Sequence, residues 1–272
     1  MSSVLRAGDL SAVDTRSTPG FKQGKSQAQK AQVQLAERLS TLQEQLYAEG
    51  RTGGTRSVLL VLQGLDTSGK GGTVRHVVGQ CDPSGLHIAS FGRPTAEERK
   101  HDFLWRIRRQ LPRPGKLGVF DRSHYEDVLA ARVRGTVEKR TWSRRYDAIN
   151  RFEAELADGG MRIVKCFLHI SRDEQRERLL ARLDDPTKHW KYNPRDLEDR
   201  ALWDDYMAAY ADVLERCSTD HAPWHVVPAD RKWYRNWAIT QLLCEQLDEL
   251  GLRWPEADFD VAEEQRRVRE IP

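Results

Sequence analysis

The chain is poor in cysteine. Its four thiols, Cys81, Cys166, Cys217 and Cys244, are widely scattered and form no C-x-x-C pair. That spacing excludes a zinc knuckle and a disulfide framework. Isolated thiols suit a reducing compartment, so a cytoplasmic location is expected. Long apolar runs are also missing; the longest are near six residues, whereas a membrane span needs about 20. The N-terminus is polar and has no apolar signal core, so neither a membrane partner nor a secretory signal is expected. Charge of one sign is lacking too. Lys plus Arg number 44 against 41 Asp plus Glu, a net +3, so any anionic partner must be recognised by local clusters. No nucleic-acid reader motif is present, and no nucleic-acid partner is expected. His124, His169, His189 and His221 show no metal-ligand spacing. No Ser-His-Asp or Cys-His arrangement stands out, and there is no internal repeat.

What is present is an alternation of apolar runs and amphipathic stretches over 272 residues. Residues 1–25 are rich in Ser, Gly and Thr and read as a mobile arm. From 26 to 48, Leu35, Leu39, Leu42 and Leu46 recur on one helical face. Strands are predicted at 57–63, 86–91, 117–121, 162–170 and 224–228. Helices are predicted at 70–80, from the Thr95/Glu98 capping box to about 110, at 124–133 and 138–158, from the Ser171/Glu174 capping box to 183, and at 195–216 and 231–250. Residues 256–272 are left as a tail. Buried strands alternating with helices imply a parallel sheet covered on both faces. The fold class is α/β: a three-layer sandwich on a five-stranded parallel sheet, with an N-terminal helical extension and residues 26–255 as one domain.

The sharpest motif is G-x-x-x-x-G-K at Gly64–Lys70, between a buried strand and a helix. Backbone N–H groups in such a turn make a phosphate nest, and the helix start adds positive potential. Lys70 would reach terminal phosphates. The usual Ser or Thr after the lysine, which helps to hold magnesium, is missing; Gly71 stands there. Asp66, inside the loop, is the candidate replacement. It could ligate the metal, act as a base toward a phosphate acceptor, or cap the helix. The strand LGVFD ends in Asp121, the position of the second magnesium carboxylate in this architecture. Arg122 follows and could bind a phosphoryl oxygen bidentately. Glu126 and Asp127 open the next helix; for Asp127 the helix dipole suffices as a reason. After the fourth strand, Arg172, Arg176, Arg178, Arg182, Lys188 and Lys191 suggest a basic lid over about 171–200. Trp190 and Tyr192 could stack on a base or anchor the loop. A second basic stretch, Arg93 to Arg113, could extend a polyanion path or face solvent.

GLDTSGKGGTVRHV, FDRSHYEDVL, HWKYNPRDLEDRALWDDYMAAY and HAPWHVVPADRKWYRN resemble the type-2 polyphosphate kinases, in order over about 25–255. That resemblance implies a thymidylate-kinase-like P-loop kinase fold. It implies reversible phosphoryl transfer between inorganic polyphosphate and purine nucleotides, AMP to ADP and ADP to ATP, with Mg²⁺ or Mn²⁺. Asp66 and Asp121 then match metal-binding acids, Lys70 the phosphate-binding lysine and Arg122 the arginine after the second acid. Arg178, Arg182, Lys188 and Lys191 match the phosphate-gripping lid. Gly64, Thr67, Ser68, Gly69, Gly71 and Gly72 would cradle phosphate, the amides of 67–71 taking the acceptor's. Glu126, in Ser123-His-Tyr-Glu126, resembles the branch that phosphorylates both mono- and diphosphates, although some members of that branch carry Asn where this chain has Asp121. A homodimer or homotetramer is expected. The alternatives are an ATP-dependent nucleoside monophosphate kinase and a non-catalytic polyanion-binding module.

Overall fold

The computed structural model describes residues 10–271. In chain order the elements are α1 (Lys25–Arg51), β1 (Ser57–Gln63), α2 (Lys70–His76), β2 (Leu86–Ser90), α3 (Trp105–Arg108), β3 (Leu117–Asp121), α4 (Ala130–Val133), α5 (Lys139–Asp158), β4 (Met161–His169), α6 (Arg172–Leu183), α7 (Arg195–Ala201), α8 (Trp203–Arg216), β5 (Trp224–Pro228), α9 (Lys232–Asp248) and α10 (Val261–Glu270). Short 3-10 turns include His124–Asp127 and Pro186–Lys191. No helix among the described residues is long and apolar enough to cross a membrane.

All strand pairs are parallel, in the order β2-β3-β1-β4-β5. All seven residues of β1 are buried, as a central strand covered on both faces requires. Leu62 of β1 pairs with Asp121 of β3 and with Cys166 of β4. Strands β1 and β3 thereby end nearly level, β4 runs on to His169, and the order reverses at β1. A crevice opens there, outside the carboxyl ends of the strands, where ligands of open α/β sheets bind. The predicted leucine face of α1 is real: Leu39, Leu42 and Leu46 are buried, and α1 lies along α9.

Three expectations need correction. The Thr95/Glu98 capping box forms, with Thr95 N donating to Glu98 Oε2 at 2.7 Å and Glu98 N to Thr95 Oγ1 at 3.2 Å. The helix nevertheless stops after a 3-10 turn at Glu98–Lys100, and α3 is only four residues long. Glu98 to Asp102 offer no apolar side chain to bury, so nothing offsets the cost of helix nucleation. The tail contains α10, capped by Asp260, which accepts from Ala262 N at 2.9 Å and Glu263 N at 3.0 Å, although none of its residues is buried.

The third concerns the arm. Residues 1–9 lie outside the described residues, but 10–24 are not loose. Leu10 and Phe21 are buried, and the Phe21 ring lies 4.6 Å from Trp237 and 6.1 Å from Trp233. Tyr234 Oη donates to Pro19 O at 2.7 Å. Low apolar content hid Pro19 and Phe21, which find aromatic partners more than 200 residues away. Phe21→Ala should therefore destabilise the protein by about 3 kcal/mol in urea unfolding, within the range for buried phenylalanine; an arm without fixed packing would show no change.

Candidate active site

The loop after β1 is shaped by what surrounds it. Gly69, which caps α2, has φ +111°, and a Cβ there would lie 1.7 Å from Arg235 Nη1. A Cβ on Gly72 would lie 2.9 Å from Arg235 Nη2. These glycines let a guanidinium lie directly against the loop. Gly71 is different: a Cβ there meets nothing within 4 Å. The missing hydroxyl is therefore not excluded by crowding. The hydroxyls of Thr67 and Ser68 are buried with no hydrogen-bond partner. A phosphate or a metal-bound water drawn into the loop would satisfy them. Lys70 is buried, and Nζ donates to Gly64 O at 2.7 Å and Leu65 O at 3.3 Å. Burial pushes its ammonium below the usual lysine range.

Asp121 ends β3 beside Leu62, and Arg122 turns out of the strand with φ +64°, uncommon for a side chain of its size. Two bonds hold this turn: Arg122 N donates to Leu62 O and Arg122 Nη2 to Asp66 Oδ1, both at 3.0 Å. Burial works against the Arg122 cation, but Glu126, Asp66 and Asp121 outweigh it and raise its pKa. Glu126 is pushed the other way. Burial raises its carboxyl above the usual range, only partly offset by Arg122 and Lys70. The Gln63 amide, turned with its nitrogen toward the carboxylate, donates to Glu126 Oε1 at 3.1 Å and accepts from Ser123. Asp127 is structural, paired with Arg106 at 3.3 Å and Arg145 at 3.4 Å. These ion pairs, rather than a helix dipole, are its reason.

Beneath this turn lies a fully buried ionic network. Lys165 Nζ donates to Glu153 Oε2 at 2.5 Å, Tyr125 Oη at 2.8 Å and Cys217 O at 2.7 Å. Tyr125 Oη donates to Glu153 Oε1 at 2.9 Å, and His124 Nε2 lies 3.1 Å from the same oxygen. Burial raises the Glu153 carboxyl, but Lys165 and His124 win and hold it below the usual range. The segment between Arg122 and Glu126 is thus tied to α5 and β4.

The loop separates two different environments. On the Asp66 side a cavity of about 790 Å³ is walled by Asp66, Arg122, Glu126, Arg134, Asp196 and Tyr210, among others. Lys70, Gly69, Gly71 and Gly72 do not line it. Burial and the Asp66 charge push the Asp196 carboxyl up to about 6, against the pull of Arg182. Part of the roof is latched: Arg134 Nη2 lies 2.6 Å from Asp199 Oδ2, and Tyr206 Oη donates to Asp199 Oδ1 at 2.8 Å. On the other side are Lys188, Lys232 and Arg235, with Arg178 beneath the loop. Burial and these neighbouring cations, Arg178 first, push the Lys232 ammonium down. Burial and Arg178 push the Arg235 guanidinium down to about 10. Among the described residues, Arg235 hydrogen-bonds only to Asn236 Oδ1, a neutral acceptor. Arg235 and Lys232 were missed in the sequence because they follow the fifth strand, far from the glycine loop. The run ADRKWYR, with two cations facing one way at helical spacing, was the available signal.

The lid cations are not equivalent. All three guanidinium nitrogens of Arg178 are engaged by protein acceptors. Nη1 donates to Thr67 O (2.9 Å) and Ser68 O (3.1 Å), Nη2 to Ala229 O (2.7 Å) and Asp230 O (2.9 Å), and Nε to Glu174 (2.7 Å). It supports the loop from below. Arg182 is bonded to Lys191 O and Asp196, Lys188 to Asp185, and Lys191 lies over the exposed Trp190 ring.

Metal binding fits the donor set. Among the described residues no three His, Cys, Asp or Glu side chains form a closed metal cage. Asp66 and Asp121 are both within electrostatic reach of Lys70 and Arg122. Two acids with open positions suit Mg²⁺, which completes its shell with substrate phosphates and water.

Sheet order, glycine loop, paired acids and basic lid define a P-loop phosphotransferase of the nucleotide-kinase type. Residues 22–252 match the family described as Polyphosphate kinase 2 (PPK2), and the chain belongs to that family. Its members transfer phosphate between polyphosphate and nucleotides and are generally divalent-metal dependent. The chain is 48% identical to an AMP/ADP-polyphosphate phosphotransferase of Meiothermus ruber, over 92% of each chain. It is 42% identical to an ADP-polyphosphate phosphotransferase of Rhodopseudomonas palustris, over 91% of this chain and 88% of that one. The crystal structure of polyphosphate kinase 2 from Arthrobacter aurescens TC1 superposes with a TM-score of 0.95 at 53% identity, covering 98% of this chain and 95% of that one.

Lys165→Met should destabilise the fold by about 3–5 kcal/mol by leaving the buried Glu153 without its lysine counter-charge. Adding Glu153→Gln should restore most of that loss, as read by urea unfolding. Asp196 makes a pH prediction for the metal-free protein. Its folded-state pKa is raised, so the folded state binds the proton more tightly, and stability falls as pH rises from about 4 to about 6. Asp196→Asn should flatten that decline, on the order of 2 kcal/mol.

Proposed function

We propose that this chain moves a phosphoryl group from inorganic polyphosphate to both purine nucleoside mono- and diphosphates, AMP to ADP and ADP to ATP. The observation that carries this reading is the division of the glycine loop's surroundings. A cation-crowded face on the α9 side suits a chain of phosphates, and a 790 Å³ cavity on the Asp66 side is large enough for a nucleotide. The acceptor phosphate is accordingly placed against Arg122 and Glu126. The amides of 67–71, first assigned to the acceptor, go to the donor.

The residues then act by position and charge, as phosphoryl transfer requires. Arg235, Lys232 and the loop amides hold the donor's terminal units. Arg122 orients the acceptor oxygen and offsets charge on the transferring group. Glu126 is poised to share a proton with the acceptor phosphate because burial holds its carboxyl up. A monophosphate, shorter than a diphosphate, depends on that contact more. The acceptor oxygen forms the new P–O bond, the bridging P–O bond of polyphosphate breaks, and the polymer leaves one unit shorter. Mg²⁺ or Mn²⁺, held by Asp66 and Asp121, would neutralise phosphate charge. The free, buried thiols agree with a cytoplasmic enzyme. Exposed Trp254, Phe259 and Val268 agree with a homo-oligomer.

The test is turnover with polyphosphate, Mg²⁺ and either AMP or ADP, with no ATP added. ADP and ATP should form from AMP, and Asp66→Asn and Asp121→Asn, folded, should each lose about 100-fold or more in kcat. Product from ADP alone would reject the dual-acceptor reading. Transfer only when ATP is the donor would reject polyphosphate.

A further inference from the structure

We infer that residues 10–21 form a strap that sets the donor side of the loop, with Thr15 and Asp230 as positioning residues. The inference rests on the placement of polyphosphate on the α9 side proposed above. Asp230 is buried in the turn just after β5, two residues before Lys232. Both carboxylate oxygens accept from neutral donors: Oδ2 from Thr15 Oγ1 at 2.8 Å and Oδ1 from Ser171 N at 2.9 Å. The clasp is reciprocal, because Asp230 N donates to Thr15 O at 3.2 Å.

One route leads from this clasp to the loop. Through the backbone, Asp230 O and Ala229 O accept from one amino group of Arg178, whose other amino group holds Thr67 O and Ser68 O. A shift of Asp230 is therefore passed to the loop through one rigid, planar guanidinium. Beyond Asp230 the same segment carries the cations Lys232 and Arg235. The strap also grips the segment that carries these cations further along. Phe21 lies against Trp233 and Trp237, and Pro19 O accepts from Tyr234. Lys232 and Arg235 thus lie between two points held by the arm. Arg16 Nη1, 4.0 Å from Glu174 Oε2, adds a contact to the carboxylate that binds Arg178 Nε.

The experiment compares full-length Thr15→Val, Thr15→Ser and Arg235→Gln for kcat, for KM toward polyphosphate and AMP separately, and for Tm. Thr15→Val should raise the polyphosphate KM about fivefold, the scale of one lost hydrogen bond, with the AMP KM unchanged. Thr15→Ser, which keeps the hydroxyl, should restore it. A drop in Tm in Thr15→Val with unchanged KM for both substrates would reduce the strap to a packing element and overturn the inference. Arg235→Gln separates the two layers. If it raises the polyphosphate KM while Thr15→Val does not, the strap alone fails. If neither variant moves that KM, or Thr15→Val moves only the AMP KM, the donor placement fails and the strap's role falls with it.

Discussion

The structure turns on one guanidinium. Arg178 lies where the loop after β1, the turn after β5 and the lid helix α6 converge, and it donates to four backbone carbonyls at once. A phosphate-binding turn presents its N–H groups to the ligand, so its carbonyls must point away, and buried carbonyls need donors. Arginine is suited to this place because its fork is planar and always charged. Lysine, a single flexible point charge, could not span both loops. The same contact couples the lid to the loop: α6 cannot move as a body without carrying Arg178, or leaving the carbonyls of Thr67 and Ser68 unsatisfied. Closure over substrate is therefore better sought in the segment after Leu183, where Lys188, Lys191 and Trp190 are exposed.

The second constraint is the placement of charge on a turn that is itself uncomfortable. Arg122 has a left-handed backbone, which the surroundings must over-determine to keep. They do so from both sides. In front, Asp66 takes the guanidinium and Leu62 O takes the amide. Behind, His124 and Tyr125 are bonded to Glu153, which Lys165 neutralises. An apolar core would be as stable as this ion pair or more so. What the pair adds is direction: Tyr125 and His124 have one acceptor to find, and finding it fixes where Arg122 and Glu126 emerge.

Much of this was legible in the residues, and the limits follow from the kind of signal each element gave. The central strands were readable because a parallel strand covered on both faces is apolar throughout, and β1, β3 and β5 begin and end where the apolar runs do; β2, a half-exposed edge strand, was read from a short apolar run alone. Asp66, Lys70, Asp121 and Arg122 were legible as a group because motif and strand end place them in sequence. The Thr95 helix misled because a capping box marks a start but says nothing of what sustains the helix. Phe21, Asp230 and Arg235 stayed hidden for one shared reason. Their partners are tertiary, and composition alone reads an arm of Ser, Gly and Thr as loose. Arg178 was assigned to the lid but not to its task, since spacing shows which helix an arginine is on and not which carbonyls lie beneath it.

The asymmetry about the loop explains how one site can serve a polymer and a small nucleotide. Lys188 is paired with Asp185 and Arg178 with Glu174, but among the described residues Lys232 and Arg235 have no ion-pair partner, and burial with the nearby Arg178 lowers the pKa of both. That face holds unspent positive potential and is stabilised by any polyanion laid along it. The opposite wall is mostly balanced: Arg122 is paired with Asp66, Arg134 with Asp199, and Arg106 and Arg145 with Asp127, beside the further arginines Arg93, Arg99 and Arg195. A balanced wall gives a polymer of phosphates little net attraction, but it offers a small ligand directional contacts at defined points. The two substrates are told apart by whether charge is left in surplus or paired, with the glycine loop as the boundary between them.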